Sequence, residues 1–138
     1  MNFATLLEEG ERLGFPRASM DKLSPDRRSR FRWPGDHAAG RREDGLGTDL
    51  LGALHVHQSQ EFILRSRVLP AIDILRSACV INAELLGQSR WLGCMREGAA
   101  ADLLLVDGNP LEDIAVLADR ERLSLIMKGG QIHKGPLS

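Results

Sequence analysis

The stretch GLGTDLLGALHVHQSQEF, residues 45–62, decides how the rest of the chain is interpreted. A short apolar run with glycines leads to one acidic residue, Asp49, and is followed by a loop rich in His, Gln and Glu. The run from Gly45 to Leu51 is predicted to be a short buried strand. Because enzymes can place a catalytic group at the C-terminal end of a strand, Asp49 is the first candidate catalytic residue.

Length, charge and cysteine usage limit the classes of protein to consider. The 138 residues suffice for one ordinary domain with a modest core, and the net charge of −1 does not favour nucleic acid or an anionic membrane. The chain shows no apolar run long enough for a membrane span and no signal-peptide pattern, so we expect a soluble, cytoplasmic protein. Cys79 and Cys94 lack metal-binding spacing and are expected to be buried or half-buried thiols.

The first 44 residues divide into two segments of different composition. Residues 1–23 include an amphipathic helix pattern. Residues 24–44, the Arg-rich segment, hold six arginines and no Leu, Ile, Val or Met, so no periodicity could bury a face. One interpretation is a basic arm, with Phe31 and Trp33 interleaved, that contacts an anionic ligand or nucleic acid. The other, which we favour, is a disordered linker.

The chain from residue 58 to residue 90 is predicted to be mainly helical. Gln58 to Val68 fits a short helix, and Pro70 suits the first turn of a longer one that ends at Gly87. The longer helix shows apolar spacing of three and four at Ile72, Leu75, Cys79, Asn82, Ala83 and Leu86.

Beyond residue 90 the pattern changes to β structure. The predicted elements are short apolar β pieces at 91–93 and 94–95, a strand at 101–107, one or two helical turns at 111–117, and a hairpin with strands at 123–128 and 131–134. Gly129 and Gly130 supply the positive φ angles that a tight hairpin turn needs.

Four segments in this order resemble the C-terminal part of metal-dependent amidohydrolases. The closest branch contains imidazolonepropionase-like proteins and Xaa-Pro or Xaa-Arg/Lys dipeptidases. The segments are GTDLLGALHVHQSQEF, VLPAIDILRSACVINAELLG, LGCMREGAAADLLLVDGNPLEDIAVL and LIMKGGQIHKG. Together they cover Gly45 to Gly135, and residues 6–23 more weakly resemble the helix that follows the seventh barrel strand of that family.

The resemblance implies an α/β fragment. Residues 45–90 would be the last βα unit of a (β/α)8 barrel, and residues 91–138 the C-terminal part of a small β-sandwich, or composite domain. The implied chemistry is hydrolysis of amide or related C–N bonds in a small amide or dipeptide, with a divalent metal, usually zinc, that activates a water. Asp49 would bind the metal and act as the general base that passes the proton to the leaving nitrogen.

The other metal ligands of the family have no counterpart here, because they lie on earlier strands of a barrel of about 250 residues. The HVH motif at 55–57 follows Asp49 and is not the first-strand motif. His55 and Gln58 are candidate substrate-binding residues, with solvation of a helix N-terminus as the alternative, which we prefer for His57 and Glu61. A metal site made by Asp49 and the two histidines would lack groups that orient its ligands.

The resemblance also gives the Arg-rich segment a third interpretation. The family has an apolar helix before GTDL, whereas this chain has Arg, Gly, Pro, Ala and Trp. Such a composition arises when a GC-rich gene is read out of frame, so we hypothesise two compensating frame changes, or a damaged gene copy, between about Leu23 and Gly45. Translation of the gene in its other frames tests this hypothesis, because one of them must then encode an apolar helix.

These observations lead to three expectations about function. The first is a truncated amidohydrolase that is inactive alone. The second is a non-catalytic α+β module that dimerises through apolar faces that the rest of a barrel would cover. The third is a complementing fragment that is active only with a partner chain carrying strands one to seven.

Overall fold

The computed structural model describes Arg12, residues 44–50 and residues 52–136. The predicted helix in residues 1–23 and nearly all of the Arg-rich segment therefore lie outside the described residues. The described elements are, in chain order, a first 3-10 helix (Gly52–His57), α1 (Gln60–Ser66), α2 (Ala71–Arg76), a π turn (Ser77–Ile81), α3 (Asn82–Leu85), β1 (Leu103–Val106), a second 3-10 helix (Ile114–Leu117), β2 (Leu123–Lys128) and β3 (Gln131–Lys134).

Residues 44–50 do not form the strand that the sequence predicts for Gly45 to Leu51. The sheet of the described residues contains β1, β2 and β3, and residues 44–50 pair with none of them. A strand needs a neighbour because its backbone N–H and C=O groups are satisfied across a ladder. The predicted strand therefore does not form here, because the segment has no such neighbour within the described ranges.

The predicted long helix is present, but only part of its predicted apolar stripe is buried. The elements α2, the π turn and α3 follow one another directly from Ala71 to Leu85, and Gly87 ends them with a φ of 66°. Ile74 is fully buried, whereas Ile72 is 51% exposed. Both residues precede the π turn, which changes the phase only of the residues that follow it, so the exposure of Ile72 reflects how α2 itself packs.

The hairpin and the sheet agree with the prediction. The central strand β2 pairs antiparallel with both β1 and β3. Gly129 (φ 56°) and Gly130 (φ 80°) form the turn, as the glycine pair predicts. The Gly129 N–H donates to the Asp102 carboxylate at 2.6 Å, so a side chain just before β1 holds the hairpin turn. Residues 103–106, 123–128 and 131–134 thus form one three-stranded unit.

The two apolar β pieces predicted around Trp91 and Cys94 are absent. Residues 91–93 form a turn and bends, residues 94 and 95 have no regular structure, and both Trp91 and Met95 are exposed. Gly93 has a φ of 69° and lies so close to the helix that a Cβ there would be 2.4 Å from the carbonyl oxygen of Cys79. A left-handed glycine held against the π turn is incompatible with a continuous strand.

The core connects the helical part to the sheet part. Helix α1 packs against α2 and against the second 3-10 helix. The side chain of Asp113 caps that 3-10 helix by accepting a hydrogen bond from the Ala115 N–H at 3.0 Å. Within the described ranges no helix is both long enough and apolar enough to cross a membrane. The buried apolar residues are Leu50, Leu54, Ile74, Ala83, Ile114 and Val116.

Candidate functional site

Asp49 belongs to residues 44–50, which have no regular secondary structure, and lies three residues before the first 3-10 helix begins at Gly52. It is exposed, and its φ is 52°, the one positive φ of a non-glycine residue in the described part of the chain. Asp tolerates this left-handed conformation better than most residues, although such angles are uncommon outside glycine. This left-handed residue lies between residues 44–48, which have no regular secondary structure, and the helix that begins at Gly52.

Side chains from the helices hold the segment that precedes Asp49. The Nη2 of Arg65 donates to the carbonyl of Gly45 at 3.0 Å, and the Nδ2 of Asn82 donates to the carbonyl of Leu46 at 2.8 Å. The hydroxyl of Ser77 donates to the carbonyl of Asp44. We call Arg65, Ser77 and Asn82 the carbonyl clamp, because they bind three consecutive carbonyl groups that no ladder satisfies.

Arg65 is the centre of this clamp and was missed by the sequence reasoning. The residue is only 6% exposed. Its Nε donates to Glu61 Oε1 at 3.0 Å, and its Nη1 donates to Ser77 Oγ at 3.3 Å. A buried guanidinium needs such partners to offset the loss of water. The i, i+4 spacing of Glu61 and Arg65 was the available signal, but the same spacing is common on exposed helix surfaces.

The two candidate substrate-binding residues are both exposed. His55 lies on the first 3-10 helix, and Gln58 follows it directly. Within the described residues no hydrogen bond joins the Asp49 carboxylate to either side chain. His57 Nδ1 lies 3.4 Å from Gln60 Nε2, a local contact at the start of α1. The structure therefore leaves both residues accessible without gathering them around Asp49.

The described residues do not form a metal centre. Across residues 44–50 and 52–136, no group of three or more His, Cys, Asp or Glu side chains converges on one point. Asp49 and the two histidines that follow it thus do not make the metal site considered from the sequence. Since a structural or catalytic zinc needs at least three protein ligands, the described part of the chain offers one carboxylate rather than a site.

Cys79 has no feature of a nucleophile. The residue as a whole is exposed, contrary to the predicted packing role, whereas Cys94 is half-buried as predicted. Burial of the thiol itself nevertheless raises the pKa of Cys79. A raised pKa reduces the thiolate fraction near neutral pH, so this cysteine is less reactive than a free thiol.

Comparisons with known proteins define the class. Residues 27–133 match the family model described as Amidohydrolase family, and the chain belongs to this family. The resemblance drawn from the sequence is confirmed.

Individual relatives extend the comparison. A crystal structure of an amidohydrolase matches 99% of this chain and 33% of its own, with a TM-score of 0.90 and 34% identity. A prolidase structure complexed with N-methylphosphonate-L-proline matches 97% of this chain and 33% of its own, with a TM-score of 0.85 and 36% identity. Ochratoxinase from Aspergillus niger is 32% identical over 93 residues, which are 66% of this chain and 19% of that protein.

The comparisons also give the share of each relative's length that this chain covers. The chain spans about a third of each of the two solved structures and a smaller share of ochratoxinase. The amidohydrolase relatives cover nearly all of this chain, which is consistent with a partial domain of the TIM-barrel type. Amidohydrolases generally depend on a metal, whereas the described residues contain no metal-binding group.

Proposed function

We propose that this chain is the C-terminal part of an amidohydrolase that cleaves amide or peptide-like C–N bonds, with Asp49 as its catalytic carboxylate. In this proposal residues 45–90 are the last βα unit of the barrel and residues 91–138 are part of the composite sandwich. The observation that carries the proposal is the family match over residues 27–133, which includes Asp49 at the end of the clamped segment. The likeness to a prolidase supports a small, dipeptide-like substrate.

The proposed role of Asp49 is proton transfer. Its carboxylate accepts a proton from the water that attacks the carbonyl carbon, and it then donates that proton to the leaving nitrogen. The exposed side chain of Asp49 is accessible for this exchange. His55 and Gln58 are proposed to contact the substrate, because both are exposed in the stretch that directly follows Asp49.

The proposed chemistry needs a metal, and this need limits the activity that we expect of this chain alone. The proposed cofactor is a divalent metal, with zinc as the first choice, to which Asp49 contributes one ligand. Within the described residues no further ligands join it. In the family the remaining ligands lie on earlier barrel strands, so we expect the chain to be inactive by itself. Its unpaired cysteines fit a reducing, cytoplasmic environment, which we include in the proposal.

A second candidate function rests on exposed apolar side chains. On β1, Leu104 is 53% exposed and Leu105 is 58% exposed, and Trp91 and Met95 are exposed nearby in the sequence. Uncovered apolar strand faces favour association. A non-catalytic module that dimerises, or a fragment that complements a partner chain with the missing strands, would cover them. These alternatives have less support than the family chemistry.

One set of measurements on the purified chain separates these possibilities. Zinc content by mass spectrometry, hydrolysis of Xaa-Pro dipeptides with added zinc, and mass by analytical ultracentrifugation are compared between the wild type and Asp49→Asn. We expect less than one zinc per chain and no turnover above that of the variant. Saturable, zinc-dependent turnover by this chain alone would overturn the proposal of a partial site. A stable dimer without turnover would favour the second candidate.

A further inference from the structure

The position of Asp49 depends on anchors at both sides of it. After it, the side chain of Leu50 is buried. Before it, the carbonyl groups of residues 44–46 are bound by the carbonyl clamp. Between these anchors the described segment pairs with no strand, and Gly47 has open space where a Cβ would be. The helices, through their side chains, therefore set where Asp49 lies.

The π turn explains how two clamp residues reach the same segment. Ser77 and Asn82 are five residues apart, at the first residue of the π turn and the first residue after it. In a regular α-helix of 3.6 residues per turn, such a spacing puts two side chains on different faces. A π turn is wider and brings this spacing closer to one side. Both side chains accordingly bind residues 44–46.

Arg65 is the clamp residue whose geometry is hardest to replace. Its Nε, Nη1 and Nη2 each bind a different partner: Glu61, Ser77 and the backbone of Gly45. The guanidinium is planar and presents these donors in a fixed fork, whereas a lysine ammonium is a compact charge on a flexible stem. Fixing one partner thus fixes the direction of the others.

We propose that Arg65 is a positioning residue that sets the place and backbone conformation of Asp49, with Asn82 as its second support. This inference rests on the proposed role of Asp49 for its catalytic meaning, but its structural content is independent of activity. Arg65 on α1 binds the backbone carbonyl of Gly45, and Asn82 on α3 binds that of the next residue, Leu46. Loss of Arg65 frees the Gly45 carbonyl and removes a partner from Ser77, so the segment loosens while distant elements keep their structure.

Backbone NMR of the complete 138-residue chain tests this proposal. The readouts are the order parameters of residues 45–50 and the strong intraresidue HN–Hα cross-peak that the positive φ of Asp49 produces. In Arg65→Met we expect the order parameters to fall from about 0.85 to below about 0.6 and the cross-peak to weaken. The hairpin signals of residues 123–134 report whether the fold persists. Arg67→Met, an exposed arginine just after α1, is the matched control and should change neither readout.

Two further variants keep the test decisive. Arg65→Lys retains a charge for Glu61 but loses the fork, so we expect residues 45–50 to loosen still; full rescue by lysine would overturn the proposal. Asn82→Ala should loosen the segment at Leu46 first. Unchanged order at Asp49 in Arg65→Met would overturn the proposal, and so would loss of the hairpin signals in all three variants, because the effect is then global. If the segment loosens in Arg65→Met but Asp49→Asn keeps full turnover when this chain completes a prolidase barrel, the proposed function is rejected and the positioning stands.

Discussion

Gly45 lies so close to Asn82 that a Cβ at position 45 would be 2.4 Å from the Oδ1 of that side chain. The Nδ2 of the same asparagine is bound to the carbonyl of Leu46 at 2.8 Å, which limits how far the side chain can move away. A side chain at position 45 therefore fits against α3 only if Asn82 or Leu85 shifts.

The first prediction concerns this contact. Gly45→Ala should lower the free energy of unfolding by about 1–3 kcal/mol, because the added methyl group forces Asn82 or Leu85 to shift. Gly47→Ala is the matched control, since nothing lies within 4 Å of its Cβ position. Urea denaturation of both variants measures the difference. Equal stabilities would mean that the segment does not pack against α3 as described.

Two salt bridges that differ in burial allow a second prediction. The side chains of Arg65 and Glu61 are 8% and 12% exposed and lie 3.0 Å apart, whereas those of Arg122 and Asp119 are 53% and 51% exposed and lie 3.8 Å apart. Glu61→Gln should lower the free energy of unfolding by about 1–3 kcal/mol, because it leaves a buried guanidinium without its carboxylate.

The control for this prediction is Asp119→Asn. An exposed ion pair is worth about 0–1 kcal/mol, so this variant should change stability little. Thermal unfolding of both variants at low salt gives the comparison. If Asp119→Asn is as destabilising as Glu61→Gln, burial is not what makes the Arg65 interaction strong.

A third prediction separates backbone conformation from steric contact. Gly93 and Gly98 have similar φ angles of 69° and 79°, but only Gly93 lies against the backbone of Cys79. Replacement by alanine should cost about 1–2 kcal/mol at either position because of the left-handed conformation. At Gly93 the contact with a backbone carbonyl, which cannot rotate away, should add about 1–3 kcal/mol. Denaturant titration of both variants measures the two costs, and a similar cost at both sites would contradict the packing of residue 93 on the π turn.

The fourth prediction concerns the reactivity of Cys79. Burial raises the pKa of its thiol, so the folded protein holds less thiolate than the unfolded chain at the same pH. In a Cys94→Ser variant, alkylation of Cys79 by iodoacetamide should be slower when folded than in denaturant. Its rate should increase with pH through a midpoint above that of the denatured chain. A midpoint at or below the denatured value would show that the thiol is not desolvated.

Sequence patterns predicted the parts of this fold that depend on residues adjacent in the sequence. The glycine pair at 129–130 fixes the hairpin, and Pro70 and Gly87 bound the long helix, because turn and cap conformations are local properties. The strand predicted at residues 45–51 and the β pieces predicted at residues 91–95 did not form. Strands depend on partners elsewhere in the chain, which a local pattern does not reveal. The spacing of three and four placed Ile72 rather than Ile74 on the apolar face, and which side of α2 is buried depends on its partner α1.

The candidate site was predictable to a lesser extent. Asp49 was found through the resemblance to a family, and that membership is confirmed by the match over residues 27–133. Its positive φ and the burial of Arg65 were not predicted. An arginine on a short helix is usually exposed, and its burial here depends on Gly45, which is 20 residues away in sequence.

The role of Asp49 is tested by placing this chain in a complete barrel. In a chimera, residues 45–136 replace the corresponding C-terminal part of the prolidase with 36% identity, and hydrolysis of an Xaa-Pro dipeptide is measured with zinc present. We predict metal-dependent turnover, a loss of kcat of about 10²–10⁴-fold in Asp49→Asn, and little change in Asp107→Asn, an exposed aspartate after β1. Undiminished turnover in Asp49→Asn, or a folded chimera that binds zinc and does not hydrolyse the dipeptide, would contradict the assignment of Asp49 as the catalytic carboxylate.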